Sequence, residues 1–241
     1  MIMLFTDFGV AGPYTGQMCA VLQQMAPGVP VVSLFADAPT SAPKPAAYLL
    51  AAYAGWFPAG SVFLCVVDPG VGGARRGLVV EAAGRLYVGP DNGLFELVLR
   101  RAAAPRCWEI TWRPPMLSAS FHGRDLFAPV AARLACHEPP TAIGHVVAPP
   151  AFADWPDDLP EIVYVDHYGN AMTGLRDGCL AQSARLIVKE RIVDHATVFS
   201  AVPAGTPFWY VNSNGLVEIA VNRGRADRLL GIGIGSTIAA A

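Results

Sequence analysis

Apolar residues recur along the first half of the chain in two patterns. Short continuous runs rich in β-branched residues predict buried strands at Ile2–Phe5, Val29–Phe35, Val62–Val67 and, as a hairpin, Leu78–Glu81 with Arg85–Val88. Apolar residues at helical spacing predict helices over Tyr14–Met25, Pro45–Tyr53, Leu94–Arg101 and Leu126–Ala135. Strands that alternate with helices predict an α/β domain, residues 1–145, with a mostly parallel sheet.

The pattern changes after this domain. Residues 146–160 are rich in proline and show no sustained periodicity, so we interpret them as a linker. Beyond it, residues 161–241 contain mainly short apolar runs separated by turn residues. The predicted strands are Ile162–Val165, Ala184–Val188, Phe208–Val211, Val217–Val221 and Gly231–Ile238. This half therefore predicts a smaller, all-β barrel or sandwich of about 80 residues.

The stretch VFLCVVDPGVGGARRG, residues 62–77, places a carboxylate at the end of a buried strand. Asp68 ends the apolar run, and Arg75 follows in the same glycine-rich loop. Ligands of open α/β sheets bind at the carboxyl ends of strands, so this loop is a candidate site. Alternatively, Asp68 caps its own turn and pairs with an arginine, and the stretch alone does not separate these interpretations.

A candidate histidine precedes the last predicted helix of the first domain. His122 stands just before the helix N-terminus, where the helix dipole disfavours an imidazolium and favours a neutral ring. A histidine packed against backbone is the commoner alternative. Asp125, at the helix start, fits a capping role better than a catalytic one.

Two polar segments stand out in the second half, Asp166–Asn170 and Tyr210–Gly215, each at the end of a predicted strand. An asparagine amide both donates and accepts hydrogen bonds, which suits a purine edge, and a tyrosine offers a stacking face. Ordinary turn chemistry also explains both segments, and from these residues alone it is the favoured interpretation of each.

Composition narrows the class of protein. The chain is 53% hydrophobic and 15% charged, against about 25% charged in an average protein, which predicts a large buried fraction or an oligomer interface. A net charge of −2 without a basic run argues against nucleic acid as a partner. We predict neither a membrane span nor a signal peptide. The five cysteines are widely spaced, without a metal-ligand pattern, which favours a reducing cytoplasm and no metal site.

Six motifs occur in one order: FTDFG (5–9), VVDPGVG with RR (66–76), PDNG (90–93), FHGRD (121–125), VDHYGN (165–170) and NSNGLVEIAVN (212–222). Together they resemble the S-adenosyl-L-methionine (SAM) hydroxide adenosyltransferases, or SAM hydrolases, which are related to the SAM-dependent fluorinases and chlorinases. The resemblance implies a Rossmann-like α/β domain followed by a C-terminal β-barrel. It also implies a homotrimer with SAM or adenosine bound at subunit interfaces.

The resemblance further implies hydrolysis of SAM to adenosine and methionine by water or hydroxide attacking C5′, with no cofactor. Asp68, Arg75 and His122 match the family's hydrolytic triad. The implied substrate-binding residues are Asp7, for the ribose, and Asp166, Tyr168, Asn170, Ser213, Glu218 and Val221. Two alternatives stay open: a SAM-dependent halogenase that makes 5′-halo-5′-deoxyadenosine, and a SAM- or adenosine-binding protein without turnover.

Overall fold

The chain folds into two compact units, Met1–Phe152 and Ala153–Ala241. The computed structural model describes residues 1–152 and 154–241, and these residues form two seven-stranded mixed sheets, one in each unit. The prediction of an α/β first unit followed by a mainly β second unit is confirmed at this level. No helix within the described residues is long and apolar enough to cross a membrane.

The sheet of the first unit has the spatial order β2-β1-β3-β5-β4-β6-β7. Its strands are β1 (Ile2–Thr6), β2 (Val31–Phe35), β3 (Val62–Val66), β4 (Gly77–Ala82), β5 (Arg85–Pro90), β6 (Arg106–Ile110) and β7 (Gly144–Val147). The pairings from β2 to β5 are parallel, whereas those from β5 to β7 are antiparallel. The sheet is therefore mixed, and the prediction of a mostly parallel sheet was wrong for this edge because β6 and β7 were not foreseen.

Helices cover both faces of this sheet. They are α1 (Tyr14–Met25), α2 (Pro43–Tyr53), α3 (Glu96–Arg100) and α4 (Ala128–Ala135). On one face, Ile2 and Leu4 of β1 share a buried cluster with residues of α1 and α4. On the other, Phe5 contacts Phe35, which contacts Tyr53 of α2. All five residues of β1 and of β3 are buried, as their continuous apolar runs predict.

The register of the two central strands decides where the polar side chains fall. Thr6 of β1 lies opposite Val66 of β3, and both strands end there. Because parallel strands end at the same edge of a sheet, Asp7 and Asp68 follow on neighbouring strands at one edge.

The sheet of the second unit closes nearly into a barrel. Its strands are β8 (Leu159–Val165), β9 (Ala171–Arg176), β10 (Leu186–Val188), β11 (Arg191–His195), β12 (Pro207–Val211), β13 (Leu216–Val221) and β14 (Ile238–Ala240). The order is β14-β10-β11-β12-β13-β9-β8, and a bridge between Glu161 and Thr237 joins the two ends. The apolar side chains of alternate β13 residues face the core of this unit.

One predicted strand of the second unit was wrong. Gly231–Ile238 reads as a strand because isoleucine alternates with glycine. In the structure, a short helix α5 (Ala226–Leu230) ends at Gly231, which has a left-handed backbone (φ 60°, ψ 42°), and β14 begins only at Ile238. Glycine accepts this conformation without the steric penalty of a side chain, so the segment turns instead of extending.

Candidate functional site

A pocket of about 370 Å³ opens at the edge of the first sheet where β1 and β3 end. Asp7, Asp68 and His122, three of the predicted site residues, line it. Its apolar lining includes Phe8 and Phe121, whose ring centroids lie 5.8 Å apart. These two rings cannot be recognised as pocket residues from the sequence, because an aromatic residue beside a motif looks no different from a core residue.

Asp68 and Arg75 form an ion pair, mostly removed from solvent, beside the pocket. The Arg75 Nε lies 2.9 Å from Oδ1 of Asp68, and its Nη2 donates to Oδ2. The side chains are only 12% and 4% exposed for Arg75 and Asp68. The Arg75 guanidinium also lies over the Phe127 ring, 5.2 Å from its centroid. The pairing that the sequence left open is therefore present, and it lies within the candidate site.

Arg75 joins this pair to His122. Its Nη2 lies 3.0 Å from the His122 Nδ1. Because arginine has donors and no acceptor, Nδ1 must accept, and a neutral ring then carries its proton on Nε2. Burial, and next the charge of Arg75, lower the pKa of His122, which favours that neutral ring. The three predicted catalytic residues thus form one hydrogen-bonded chain.

Two loops must approach closely to build this chain. Gly72, in the loop after Asp68, has φ +78°, and a Cβ at this position would lie 2.4 Å from the carbonyl oxygen of Ala119. A glycine is therefore required here both for its backbone angle and for the contact. The contact brings the Asp68–Arg75 loop against the segment that leads to His122.

The PDNG motif fixes the end of β3. Asn92 donates from Nδ2 to the carbonyl of Val67, 2.9 Å away, next to Asp68. Asp91 binds the side chain of Arg76 at 2.6 Å and donates its backbone N–H to the Arg76 carbonyl. From the sequence, PDNG predicts only a turn, because a turn motif does not show which distant carbonyl its asparagine will reach.

Asp7 lines the pocket, and one of its carboxylate oxygens is held by a backbone N–H. The Ser41 N–H donates to Oδ2 at 2.8 Å. Burial raises the pKa of Asp7, and the nearby charge of Asp68 adds to this effect. Asp7 and Asp68 thus place two carboxylates in the lining of the pocket, which favours a cationic ligand.

Asp125 has a structural role, but it bonds the preceding segment and does not cap the helix as the sequence predicted. It accepts a hydrogen bond from the Ser118 N–H at 2.9 Å and pairs with Arg124. These contacts lower its pKa, the bond from Arg124 contributing most. Asp125 therefore stabilises the segment before His122.

The other predicted site residues lie in the second unit, in two groups. The first group, Asp166, Tyr168 and Asn170, belongs to one turn. Asp166 accepts from the backbone N–H of Asn170 at 2.8 Å and from its side-chain amide at 3.0 Å. Tyr168, at the tip of this turn, is 72% exposed. The turn chemistry foreseen for VDHYGN is therefore present, and it leaves the tyrosine ring accessible.

The second group, Ser213, Glu218 and Val221, lies along β13 and in the turn before it. Ser213 is exposed in the turn, whereas Glu218 is only 2% exposed and is hydrogen-bonded by Tyr210 and Asn212. The side chain of Val221 packs into the apolar core of the second unit, on the opposite face of β13 from Glu218. The structure therefore does not bring the Val221 side chain together with that of Glu218.

No group of three or more His, Cys, Asp or Glu side chains in residues 1–152 and 154–241 is arranged to hold a metal ion.

Sequence comparison adds a family to this geometry. The sequence model of the SAM hydroxide adenosyltransferase N-terminal domain matches residues 2–144, and that of the C-terminal domain matches residues 160–239. The chain belongs to the SAM hydroxide adenosyltransferase family. The six-motif resemblance is thereby confirmed.

Relatives of this family match over nearly their whole length. The (R)-S-adenosyl-L-methionine hydrolase of Thermus thermophilus is 41% identical, covering 96% of this chain and 95% of the relative. The protein of the same name from Salinispora arenicola is 38% identical, covering 96% and 94%. A crystal structure of an uncharacterized conserved protein from Thermotoga maritima superposes with a TM-score of 0.90 at 28% identity, covering 99% and 98% of the two chains.

Proposed function

We propose that this protein hydrolyses SAM to adenosine and methionine. The observation that carries the proposal is the hydrogen-bonded chain Asp68–Arg75–His122 at a pocket of the α/β unit, in a family whose relatives are named SAM hydrolases. The two carboxylates in the pocket lining, Asp7 and Asp68, suit the sulfonium cation of SAM. Asp68, Arg75 and His122 are the proposed catalytic residues.

The reaction needs a nucleophile more than it needs an acid. The oxygen of water attacks C5′, the C5′–S bond breaks, and its electron pair leaves on sulfur as the neutral thioether of methionine. Attack by a hydroxide-like oxygen on a cation removes charge, which a site shielded from water favours more than bulk solvent does. Holding the two reactants in line contributes about 7–11 kcal/mol.

The hydrogen bonds among Asp68, Arg75 and His122 indicate which residue takes the proton of the attacking water. The Nδ1 lone pair of His122 is engaged by Arg75, and Nε2 already carries a hydrogen, so the neutral ring donates to the attacking oxygen and orients it. Asp68 takes the water proton, because each carboxylate oxygen retains lone pairs beside its bond to Arg75. Arg75 stabilises the developing negative charge and holds both partners.

Substrate contacts come from both units in this proposal. Asp7 keeps one oxygen free of the Ser41 bond to accept from the ribose hydroxyls. Tyr168 and Asn170 of the second unit, with Ser213 in its other turn, contact the base and the methionine part.

The division of these residues between two units supports a homotrimer in which sites form between subunits. Exposed apolar side chains at the pocket, Val71 (37%) and Tyr14 (50%), fit a surface that another copy covers. The parallel part of the first sheet supports a Rossmann-like description, and the near-closed second sheet supports a barrel. The five free cysteines support a cytoplasmic location.

Product analysis tests the proposal. Purified protein is incubated with SAM in chloride buffer, and the nucleosides are separated by chromatography. Each sulfonium epimer is supplied separately, because the relatives are named for the (R) form. We expect adenosine and methionine in equal amounts. Formation of 5′-chloro-5′-deoxyadenosine would indicate a halogenase, and tight adenosine binding without methionine release would indicate a binding protein.

A further inference from the structure

A buried carboxylate in the second unit has both of its oxygens engaged. Glu218, on β13, accepts from the Tyr210 hydroxyl at 2.6 Å and from the Asn212 side-chain amide at 2.7 Å. It is 2% exposed, and burial raises the pKa of its carboxyl group. A charged group removed from water in this way persists when its oxygens are hydrogen-bonded.

The partner of this carboxylate holds a turn. The side-chain oxygen of Asn212 accepts from the backbone N–H of Asn214 at 2.9 Å and from that of Leu216 at 3.1 Å. Those two donors fix the orientation of the amide, so its NH₂ must point to Glu218. Ser213 and Asn214 lie within the turn that Asn212 closes.

We infer that Glu218 is a positioning residue, which acts through Asn212 to hold the Ser213–Asn214 turn, and does not bind substrate itself. This inference rests on the proposed function, in which that turn contacts SAM. It changes the role of Glu218 from the substrate ligand that the sequence predicted.

We call the path from Glu218 through Asn212 to the Ser213–Asn214 turn the relay. The surroundings of Glu218 hold its carboxylate in a fixed position. Tyr210, its other partner, packs its ring against Phe199 and Phe208, with each centroid distance 5.6 Å. An anchored hydroxyl on one side and a turn-closing amide on the other restrict the carboxylate to one position. Side chains held in this way keep the residues that touch a ligand in the productive geometry.

Exchanging the acid and the amide tests the relay. In Asn212→Asp, two carboxylates face each other, and the turn loses a donor to Glu218. In Glu218→Gln the new amide turns its oxygen to accept from Asn212, and its NH₂ meets the Tyr210 hydroxyl, which can accept. In the double variant, the amide introduced at position 218 donates to the carboxylate introduced at position 212. The other oxygen of that carboxylate still accepts from the backbone N–H groups of Asn214 and Leu216.

We expect a specific order of effects. Asn212→Asp should raise the KM for SAM about tenfold or more with a smaller change in kcat, since a broken network costs more than a lost neutral hydrogen bond. Glu218→Gln should stay close to wild type, and the double variant should recover most of the loss. Severe loss in Glu218→Gln, without recovery in the double variant, would show that the Glu218 charge binds substrate and would overturn the inference.

Amide hydrogen exchange at Asn214 and Leu216 gives a readout that does not depend on turnover. Exchange should accelerate in Asn212→Asp and return in the double variant, even if wild-type protein does not hydrolyse SAM. Unchanged exchange would overturn the relay. If Asn212→Asp does not fold, Asn212→Ala, which removes both the donor to Glu218 and the acceptor of the turn, should accelerate exchange at the same two amides.

Thr173→Val is the matched control. The Thr173 hydroxyl donates to the Val217 carbonyl at 2.8 Å and accepts from the Leu175 N–H at 3.2 Å. The variant therefore loses two buried hydrogen bonds in the same unit, neither of which involves the side chains of Glu218, Asn212 or Tyr210. It should lower the Tm without changing the KM or the exchange of the turn amides. An equal rise in KM in this control would show that loss of stability alone explains the effect, and would overturn the inference.

Discussion

At the scale of the residue, the guanidinium of Arg75 links the two other proposed catalytic side chains, Asp68 and His122. Arg75 binds both oxygens of Asp68 and the Nδ1 of His122, while its face lies over Phe127. A lysine could not make these planar, divergent contacts. The charge of Arg75 and its donors therefore serve the two side chains that line the pocket.

Arg75→Ala should lower kcat by about 10²–10³ and leave the affinity for adenosine nearly unchanged, because Arg75 stabilises the attacking oxygen and not the nucleoside. Steady-state kinetics and calorimetric titration with adenosine measure the two effects. Arg106→Ala is the control, since Arg106 pairs with Glu81 at the surface. If the Asp68–Arg75 pair only pins its loop, the Tm and adenosine affinity of Arg75→Ala will fall together.

The pH dependence should report the lowered pKa of His122. Protonation fills Nδ1, which then repels Arg75, so kcat should fall on the acid side with an apparent pKa below 6.5. The unfolded chain protonates this histidine first as the pH falls. The stability contribution of the neutral ring is therefore complete above about pH 6.5 and is lost as the pH falls toward the folded-state pKa.

Melting curves across this pH range, for wild type and His122→Gln, measure the second effect. The wild type should lose more Tm than the variant on acidification. An identical pH dependence of Tm and of kcat in the two proteins would contradict this account of His122.

At the scale of the element, the contact between two loops brings the residues of the candidate site together. The loop after β3 and the segment before α4 meet where Gly72 faces the Ala119 carbonyl. Neither loop alone places Arg75 within reach of His122, so the catalytic chain depends on this approach.

Gly72→Ala should lower kcat more than its loss of stability explains, because the added methyl group must push the two loops apart. Gly60→Ala is the matched control: Gly60 has φ +81°, close to the +78° of Gly72, but open space where a Cβ would lie. Both variants carry the left-handed strain of about 1–2 kcal/mol. Equal kinetics in the two variants would show that the contact does not position the site.

Strands with continuous apolar runs, and the carboxylates that follow them, could be predicted from the sequence. β1 and β3 are buried on both faces, so their composition alone marks them and places Asp7 and Asp68 at one edge. β6 and β7 could not be predicted in this way, because each is short and mixes polar with apolar residues.

Contacts between distant loops could not be predicted. Nothing in PDNG shows that Asn92 reaches the Val67 carbonyl, and a lone motif does not show that Arg75 bridges Asp68 and His122. Glu218 was interpreted as a ligand because its motif matched the family, whereas its burial and its two donors become visible only in the folded unit.

At the scale of the whole molecule, the proposed trimer predicts that the site residues of the two units meet between neighbouring subunits. Light scattering should give the mass of a trimer at micromolar concentration. Val10→Glu, at a residue that is 87% exposed close to the pocket residues Phe8 and Tyr14, should dissociate the trimer and abolish turnover together. Val146→Glu, at the far edge strand β7, is the control. A fully active wild-type monomer would contradict the shared site.

Turnover in ¹⁸O-labelled water tests the central claim most directly. The account predicts that one ¹⁸O atom appears in the 5′-hydroxyl of the adenosine product, with unlabelled methionine, because water attacks C5′ and the C5′–S bond breaks. Mass spectrometry of both products measures this. Adenosine without the label, or label in the amino-acid product, would contradict the account.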